Sequence, residues 1–287
     1  MVKSFQIGGF SFQIISREKI TIPENFLKFQ ISNREIPSFT YQMFLSPAVF
    51  MQDEEVLTVR DDLIVYQTKI GEGRLLRFKG QKAYANYRET DAHAAEIIVE
   101  NEAIEDPVDT LFTSLFALER RMIVHGVLIL HCAYIECRGK GILFSAPSGV
   151  GKSTQAALWE KYRGSEIVNG DRTLLRKKEG KWLACAWPVC GSSDICKRMD
   201  ISVYAIVMLR QGKENSVVRL SPAKAFRQLY PQMTINQWNP EFIQAAINGI
   251  ENLILQVPVW QLTCDMTEDA VKCLEAAIFP DTTIKMR

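Results

Sequence analysis

The stretch Gly141-Ile142-Leu143-Phe144-Ser145-Ala146-Pro147-Ser148-Gly149-Val150-Gly151-Lys152-Ser153-Thr154 narrows the choice of fold more than any other part of the chain. An apolar run, Ile142 to Phe144, leads into a loop of small residues. Helix formers follow, with apolar positions at Ala157, Leu158 and Tyr162. Strand, loop and helix in that order are the setting in which the pattern G-x-x-x-x-G-K-[ST] (Walker A, the P-loop) binds phosphate. Gly149 and Gly151 let successive backbone N–H groups turn inward. A helix starting near Lys152 adds the positive end of its dipole. Lys152 is expected to reach the β- and γ-phosphates, and the Ser153 hydroxyl to complete the coordination of Mg²⁺. Residues 146 to 154 together form the expected nucleotide loop. Its first glycine is replaced by Ala146, which serves provided that position keeps an ordinary backbone angle.

A chain of 287 residues can bury a sizeable core and is long enough for two domains. Its net charge of +1 makes no electrostatic case for nucleic acid or an anionic membrane as partner. No apolar run approaches the roughly 20 residues of a membrane-spanning helix. The first residues lack a long apolar stretch and a cleavage site, so a cytoplasmic location is expected. Cys132, Cys137, Cys185, Cys190, Cys196, Cys264 and Cys273 contain no C-x-x-C pair. Neither a disulfide framework nor a zinc knuckle is indicated, and reduced, mostly buried thiols are expected.

Residues 1 to 105 read as a β-rich, antiparallel lobe of short strands: Phe5 to Ile15, Phe26 to Ile31, Val56 to Val59, Leu63 to Thr68, Gly73 to Phe78 and Glu96 to Val99. Asn33, Asp61-Asp62, Gly71 to Gly73 and Lys79-Gly80 read as the turns between them. Asp106-Pro107 opens a helix to about Val124, and the domain boundary is placed near residue 105. Residues 106 to 287 then read as an α/β domain. A buried strand, Val127 to Ile135, precedes the loop strand. After the loop helix, Glu166 to Asp171 is a strand ending in an acid, a position that commonly holds Mg²⁺ in phosphoryl-transfer proteins. Asp171 is the metal candidate beside Ser153, against the plainer reading of a turn aspartate before a hairpin. That hairpin turns at Glu179-Gly180. Strands at Ile201 to Leu209, Val217 to Leu220 and Val257 to Thr263 follow, with helices after Ser221-Pro222, Asn239-Pro240 and Thr267.

With these pieces placed, residues 125 to 275 resemble the bacterial HPr kinase/phosphorylase family and its smaller kinase-like relatives. His131 stands fifteen residues ahead of Ala146, the offset at which that family carries a histidine. Ser148-Gly149-Val150-Gly151-Lys152-Ser153 is similar to its S-G-x-G-K-S loop, and Val168-Asn169-Gly170-Asp171 falls where it ends a strand in two aspartates. The resemblance implies a P-loop kinase domain related in fold to phosphoenolpyruvate carboxykinase. It implies transfer from ATP (GTP is not excluded) with Mg²⁺, and Lys152, Asp171 and His131 as catalytic residues. The first aspartate of the pair, the family's general base, is Gly170 here, so either proton removal falls to Asp171 or His131 or the transfer is slow. The E-x-R-G-x-G signature is replaced by Trp187-Pro188-Val189-Cys190-Gly191, and phosphorylase activity is not carried over. On residues alone, His131 reads first as a histidine satisfied within an apolar core, and the matching offset brings the two readings level.

The sequence therefore leads to an α/β kinase behind a smaller β-rich lobe, acting on a serine-type hydroxyl of a peptide, a protein or a small molecule. Arg172, Lys197 and Arg198 are secondary candidates for phosphate charge. The alternative is a catalytically degraded nucleotide-binding module that holds a protein or peptide partner. Assembly into a homo-oligomer is left open.

Overall fold

A two-residue turn at Gly8-Gly9 folds the first apolar stretch of the chain back on itself. Both glycines have positive φ (58° and 87°), as the turns that match strand twist require. They join β1 (Val2–Ile7) to β2 (Phe10–Ser16), with Ile7 opposite Phe10. The computed structural model describes residues 1–32, 37–47, 49, 54–79 and 81–280. Two of the expected turn positions, Asn33 and Gly80, lie outside the described residues. The protein is mixed α/β with two β-sheets. It divides into two compact units, Met1–Arg121 and Met122–Arg287.

The first unit continues with α1 (Glu24–Leu27), β3 (Gln30–Ile31), β4 (Phe39–Ser46), β5 (Glu55–Val59), β6 (Leu63–Gln67), β7 (Glu72–Arg77), β8 (Ala83–Asp91) and β9 (Ala94–Glu100). Its nine-stranded sheet runs β3-β1-β2-β4-β9-β8-β7-β6-β5. The lobe is not wholly antiparallel as expected. β4 lies parallel to both β2 and β9, because it is reached by a long connection rather than a hairpin.

Phe26 to Ile31 is not one strand. Pro23, which has no N–H to give a ladder, precedes the helical turn α1, and only Gln30 and Ile31 pair, with β1. Packing decides this, since Phe26 is fully buried against Phe5, Phe12, Phe112 and Phe116. The helix expected from Asp106 to Val124 is broken in two, α2 (Asp109–Ser114) and α3 (Leu118–Ile123). Ala117 has a φ of 46°. The break leaves the Phe116 carbonyl to accept the buried Tyr41 hydroxyl at 2.8 Å. Because Phe112 and Phe116 belong to the aromatic cluster of the first unit, the boundary falls after Arg121 rather than near residue 105.

The second unit holds β10 (Leu128–Cys137), β11 (Lys140–Ser145), α4 (Lys152–Arg163), β12 (Glu166–Asn169), β13 (Arg172–Lys178), β14 (Lys181–Cys185), β15 (Ile201–Gln211), β16 (Ser216–Arg219), α5 (Pro222–Leu229), α6 (Pro240–Gln256), β17 (Val259–Cys264) and α7 (Glu268–Ile278). The long strand β10 has two sets of partners. Leu128 to His131 pair antiparallel with β13, and Cys132 to Cys137 pair antiparallel with β11. β14 joins β13 to the start of β15, and β15 pairs back onto β11, so these strands close a circuit.

β11, β15 and β17 are adjacent and parallel. Side chains alternate strictly between two cores. Leu143, Ile206 and Met208 pack with Leu229, Phe242, Ala246 and Ile250 of α5 and α6. Phe144, Val207 and Leu209 pack with Ala156 and Trp159 of α4 and with Val271 and Leu274 of α7. Burial on both faces is why Ile142 to Phe144 of β11 and Ala205 to Leu209 of β15 read as unbroken apolar runs. In α4 the buried positions are Lys152, Gln155, Ala156 and Trp159, whereas Ala157 is exposed. No helix among the described residues is long and apolar enough to cross a membrane.

Candidate functional site

The carboxyl ends of parallel strands are where open α/β sheets place ligands, because the connecting loops and helix N-termini gather there. At the end of β11, Ser145 is buried and its Oγ donates to the His131 carbonyl at 2.7 Å, tying β11 to β10. Ala146 follows with its methyl in the α4/α7 core, 1% exposed, and its φ is not positive. Gly149 and Gly151 do have positive φ, 80° and 115°. A Cβ at either would meet nothing within 4 Å, so backbone conformation, not crowding, asks for glycine there. Gly151 caps α4, whose first N–H groups are thereby left facing the loop.

Lys152 is buried at 8% exposure. Its Nζ donates to the carbonyls of Ala146 (3.0 Å) and Pro147 (3.3 Å), so the ammonium lies folded against its own loop. Burial lowers its pKa, and the Asp171 carboxylate acts against that. Ser153 and Thr154 are exposed at the first turn of α4.

Asp171 is placed by a residue that sequence reading left inside a strand. Asn169 is 1% exposed, and its Oδ1 accepts the N–H groups of both Asp171 (2.9 Å) and Arg172 (3.0 Å). Its Nδ2 donates to the Trp187 and Val189 carbonyls. One amide thus fixes the β12–β13 turn and fastens the Trp187-to-Val189 segment to it. An asparagine two residues before an acid at a strand end is the signal that could have found it, since Asn side chains favour such turns.

His131 stands opposite Arg172 in the β10–β13 register. Its Nε2 is 3.6 Å from Asp171 Oδ1, and Arg172 Nε is 3.1 Å from Oδ2. Burial holds the imidazole below its usual pKa, as does the Lys152 cation, while Asp171 pulls the other way. The histidine is therefore a neutral neighbour of the carboxylate, not half of an ion pair. The lowered pKa also predicts a pH effect. Unfolded chain binds the proton more readily below the ordinary value of 6.5, so stability is lost as pH falls through that value. His131→Gln should flatten the slope of melting temperature against pH between about pH 5 and 7; an unchanged slope would assign it to other groups.

The turn Gly191–Ser193 lies over the other side of Asp171. A Cβ on Gly170 would come within 2.4 Å of both Cβ and Oγ of Ser193. Ser193 Oγ is itself held, donating to the Cys190 carbonyl at 2.6 Å. Gly191 has a φ of 59°, and a Cβ there would press on the Asp171 side chain at 3.1 Å. The space for a side chain at 170 is taken.

His131, Ser148, Gly149, Gly151, Lys152, Ser153, Thr154 and Asp171 come together around one cavity of about 320 Å³, closed by Gly170 and the Gly191–Ser193 turn. Ala146 is buried in the core and does not line it, Val150 faces a neighbouring cavity, and Pro147 is exposed. The secondary candidates do not line it. Arg172 reaches Asp171 and Thr234, and Lys197 pairs with Glu166 at 2.9 Å. Cys185, Cys190 and Cys196 are buried, and burial pushes Cys185 up to about 12, so it is no nucleophile. Among the described residues no group of three or more His, Cys, Asp or Glu side chains could hold a metal ion.

A family model described as ScmC, SynChlorMet cassette protein ScmC, matches residues 101–278, and the chain belongs to that family. No curated protein matches it. Among solved structures it is similar to the Hpr(Ser) kinase/phosphatase from Coxiella burnetii, at 11% identity and a TM-score of 0.32, over 55% of this chain and 92% of that one. A likeness this slight carries no argument about chemistry, which rests on the site itself.

Proposed function

We propose that this chain binds a nucleoside triphosphate on the loop from Ala146 to Ser153 and transfers its γ-phosphoryl group to a serine-type hydroxyl of a peptide, a protein or a small molecule. The observation that carries the reading is the single cavity in which a buried lysine, a glycine-bent loop at a helix N-terminus, and the pair Asp171 and His131 converge. A phosphate chain there would exchange for the loop carbonyls as the partner of Lys152. The loop N–H groups and the start of α4 would take the charge on the phosphoryl oxygens. Mg²⁺ would neutralise further phosphate charge, with Ser153 Oγ and the Asp171 carboxylate as its protein ligands. So few protein oxygens suit an ion bound chiefly by phosphate and water.

In the transfer, the acceptor oxygen forms a bond to the γ-phosphorus as the bond to the bridging oxygen breaks, and the nucleoside diphosphate leaves with that electron pair. The hydroxyl proton passes to the Asp171 carboxylate, or to the free ring nitrogen of neutral His131. A loose transition state places more weight on positioning than on a strong base.

A specific observation favours the second reading, a nucleotide-binding module without transfer: Gly170 supplies no base, and Ser193 occupies its space. The two part on one experiment. With γ-labelled ATP and Mg²⁺, a panel of serine peptides, proteins and polyols should yield one labelled acceptor, lost in Asp171→Asn. Tight nucleotide binding without label on any acceptor and without release of phosphate would favour the binding module.

A further inference from the structure

Three strand ends lie side by side at the edge of the second unit. β11 ends in the glycine loop, β15 in Gln211-Gly212-Lys213, and β17 in Cys264-Asp265-Met266. The last two close a second cavity, of about 520 Å³, against the far side of the same loop. Gly149, Gly151 and Thr154 line both cavities, so a ligand can pass from one to the other around the loop.

The two cavities differ in chemistry. The smaller gathers the lysine, the histidine and an acid. The larger is walled by Val150, the buried Cys264 and Met266, whose side chain is 76% exposed at the rim. Burial raises the Cys264 thiol to about 11, so that wall stays uncharged. Thr154, Gln155, Gln211, Lys213 and Asp265 are the larger cavity's polar lining residues, and the two glutamines and the aspartate are engaged in holding the walls. Gln155, 2% exposed, donates to Cys264 Sγ and to the Asp265 carbonyl, both at 3.2 Å. Gln211 Nε2 donates to the Gly149 and Val150 carbonyls at 3.4 Å. Asp265 Oδ1 accepts from Asn215, the Thr267 N–H and the Thr267 hydroxyl. These bonds lower its pKa, so the carboxylate is ionised at neutral pH. Oδ2 has no hydrogen-bond partner among the described residues and is left to accept one.

We propose that this second cavity is the nucleoside subsite: a purine ring packs between Val150 and Met266, and Asp265 Oδ2 accepts a donor from the base or the ribose. The proposal rests on the nucleotide reading of the glycine loop and adds what that loop lacks, a means to tell a nucleotide from a bare phosphate chain. Apolar walls with one or two placed polar groups are what a small aromatic ligand requires. Two buried or loop-binding glutamines hold those walls before any ligand arrives, so little ordering is left to oppose binding. The carboxylate can take ribose hydroxyls, the adenine amino group or the N–H edge of guanine. ATP, GTP and their 2′-deoxy forms distinguish these sources.

The test is calorimetric titration of the full chain with Mg²⁺ and, in turn, ATP, GTP, 2′-deoxy-ATP, 2′-deoxy-GTP and inorganic tripolyphosphate. Wild type, Asp265→Asn and Met266→Asp are compared, each first checked for an unchanged melting temperature without ligand. Asn keeps an oxygen for the three bonds that Asp265 Oδ1 accepts, and Met266 is too exposed for its loss to unfold the protein. Wild type should bind at least one nucleoside triphosphate at least about tenfold more tightly than tripolyphosphate. Both variants should lose about tenfold for that nucleotide and nothing for tripolyphosphate. Equal affinity for nucleotide and tripolyphosphate, or variants that bind the nucleotide as wild type does, would overturn the subsite while leaving the phosphate loop standing. If wild type binds neither, the loop reading fails and the subsite with it.

Discussion

Lys152→Ala is expected to abolish the stabilisation of the second unit by Mg·nucleotide. Nucleotide at about 100 times its dissociation constant should add about 2.7 kcal/mol to wild type. For a unit of this size that raises the melting temperature by about 5–10 °C. The variant should show no upshift. The size of the effect follows from where the ammonium lies. It is buried, and its partners in the free protein are the two carbonyls of its own loop. A phosphate chain would substitute a charged partner for neutral ones, and charge-assisted hydrogen bonds are roughly twice as strong as neutral ones.

The free variant serves as its own control. Removing Nζ leaves the Ala146 and Pro147 carbonyls without that donor, so unliganded Lys152→Ala should melt at or slightly below wild type. A variant that keeps the nucleotide upshift would show that the ligand binds elsewhere. Differential scanning calorimetry is the right readout, because the first unit then supplies an internal reference transition if the two units melt separately.

How much of this could be read beforehand differs from feature to feature, and the reason is the range of the interaction involved. β11 and β15 were legible because both faces are buried, so their apolar character is written into consecutive residues. The hairpin turn at Glu179-Gly180 was legible too, both residues adopting positive φ (51° and 79°). The break at Ala117 was not, because its cause is the Tyr41 hydroxyl, distant in the chain and calling for the Phe116 carbonyl. α1 was missed for the same reason, its conformation being set by a cluster that draws Phe5, Phe12, Phe112 and Phe116 together. β8 was missed because its buried positions include Asn86 and Glu89, which look like surface residues until the Tyr66 hydroxyl and Arg120 are placed against them. In the site, the glycine-bent turn between β11 and α4 was legible as a local pattern. Asn169 signalled the turn at Asp171 locally, but its hold on the Trp187-to-Val189 segment and the place of Ser193 were invisible, since each acts on a segment about twenty residues away in sequence.

The contact between Gly170 and Ser193 makes the absence of a base at 170 testable by substitution. Gly170→Asp alone is expected to destabilise the second unit by about 1–3 kcal/mol, because its Cβ overlaps Ser193 Cβ and Oγ at 2.4 Å. Ser193 cannot swing clear at no cost, since its hydroxyl is bonded to the Cys190 carbonyl. The acid would also stand next to Asp171, whose charge disfavours a second carboxylate nearby. Ser193→Gly removes the overlapping atoms. In the double variant the stability loss should shrink by about 0.5–3 kcal/mol relative to the sum of the singles, the range for directly contacting residues. Chemical denaturation of the four proteins measures this coupling, and additive losses would show that the two positions do not touch. The same double variant bears on transfer. On the kinase reading, a carboxylate placed at 170 should raise the rate of phosphoryl transfer by about 10²–10⁴-fold, the usual worth of a positioned general base. If the double variant refolds to wild-type stability and transfers no faster, proton removal does not limit the reaction, and Asp171 or His131 already suffices. If it gains the full factor, proton removal limits transfer in the wild type and a carboxylate at 170 relieves that limit.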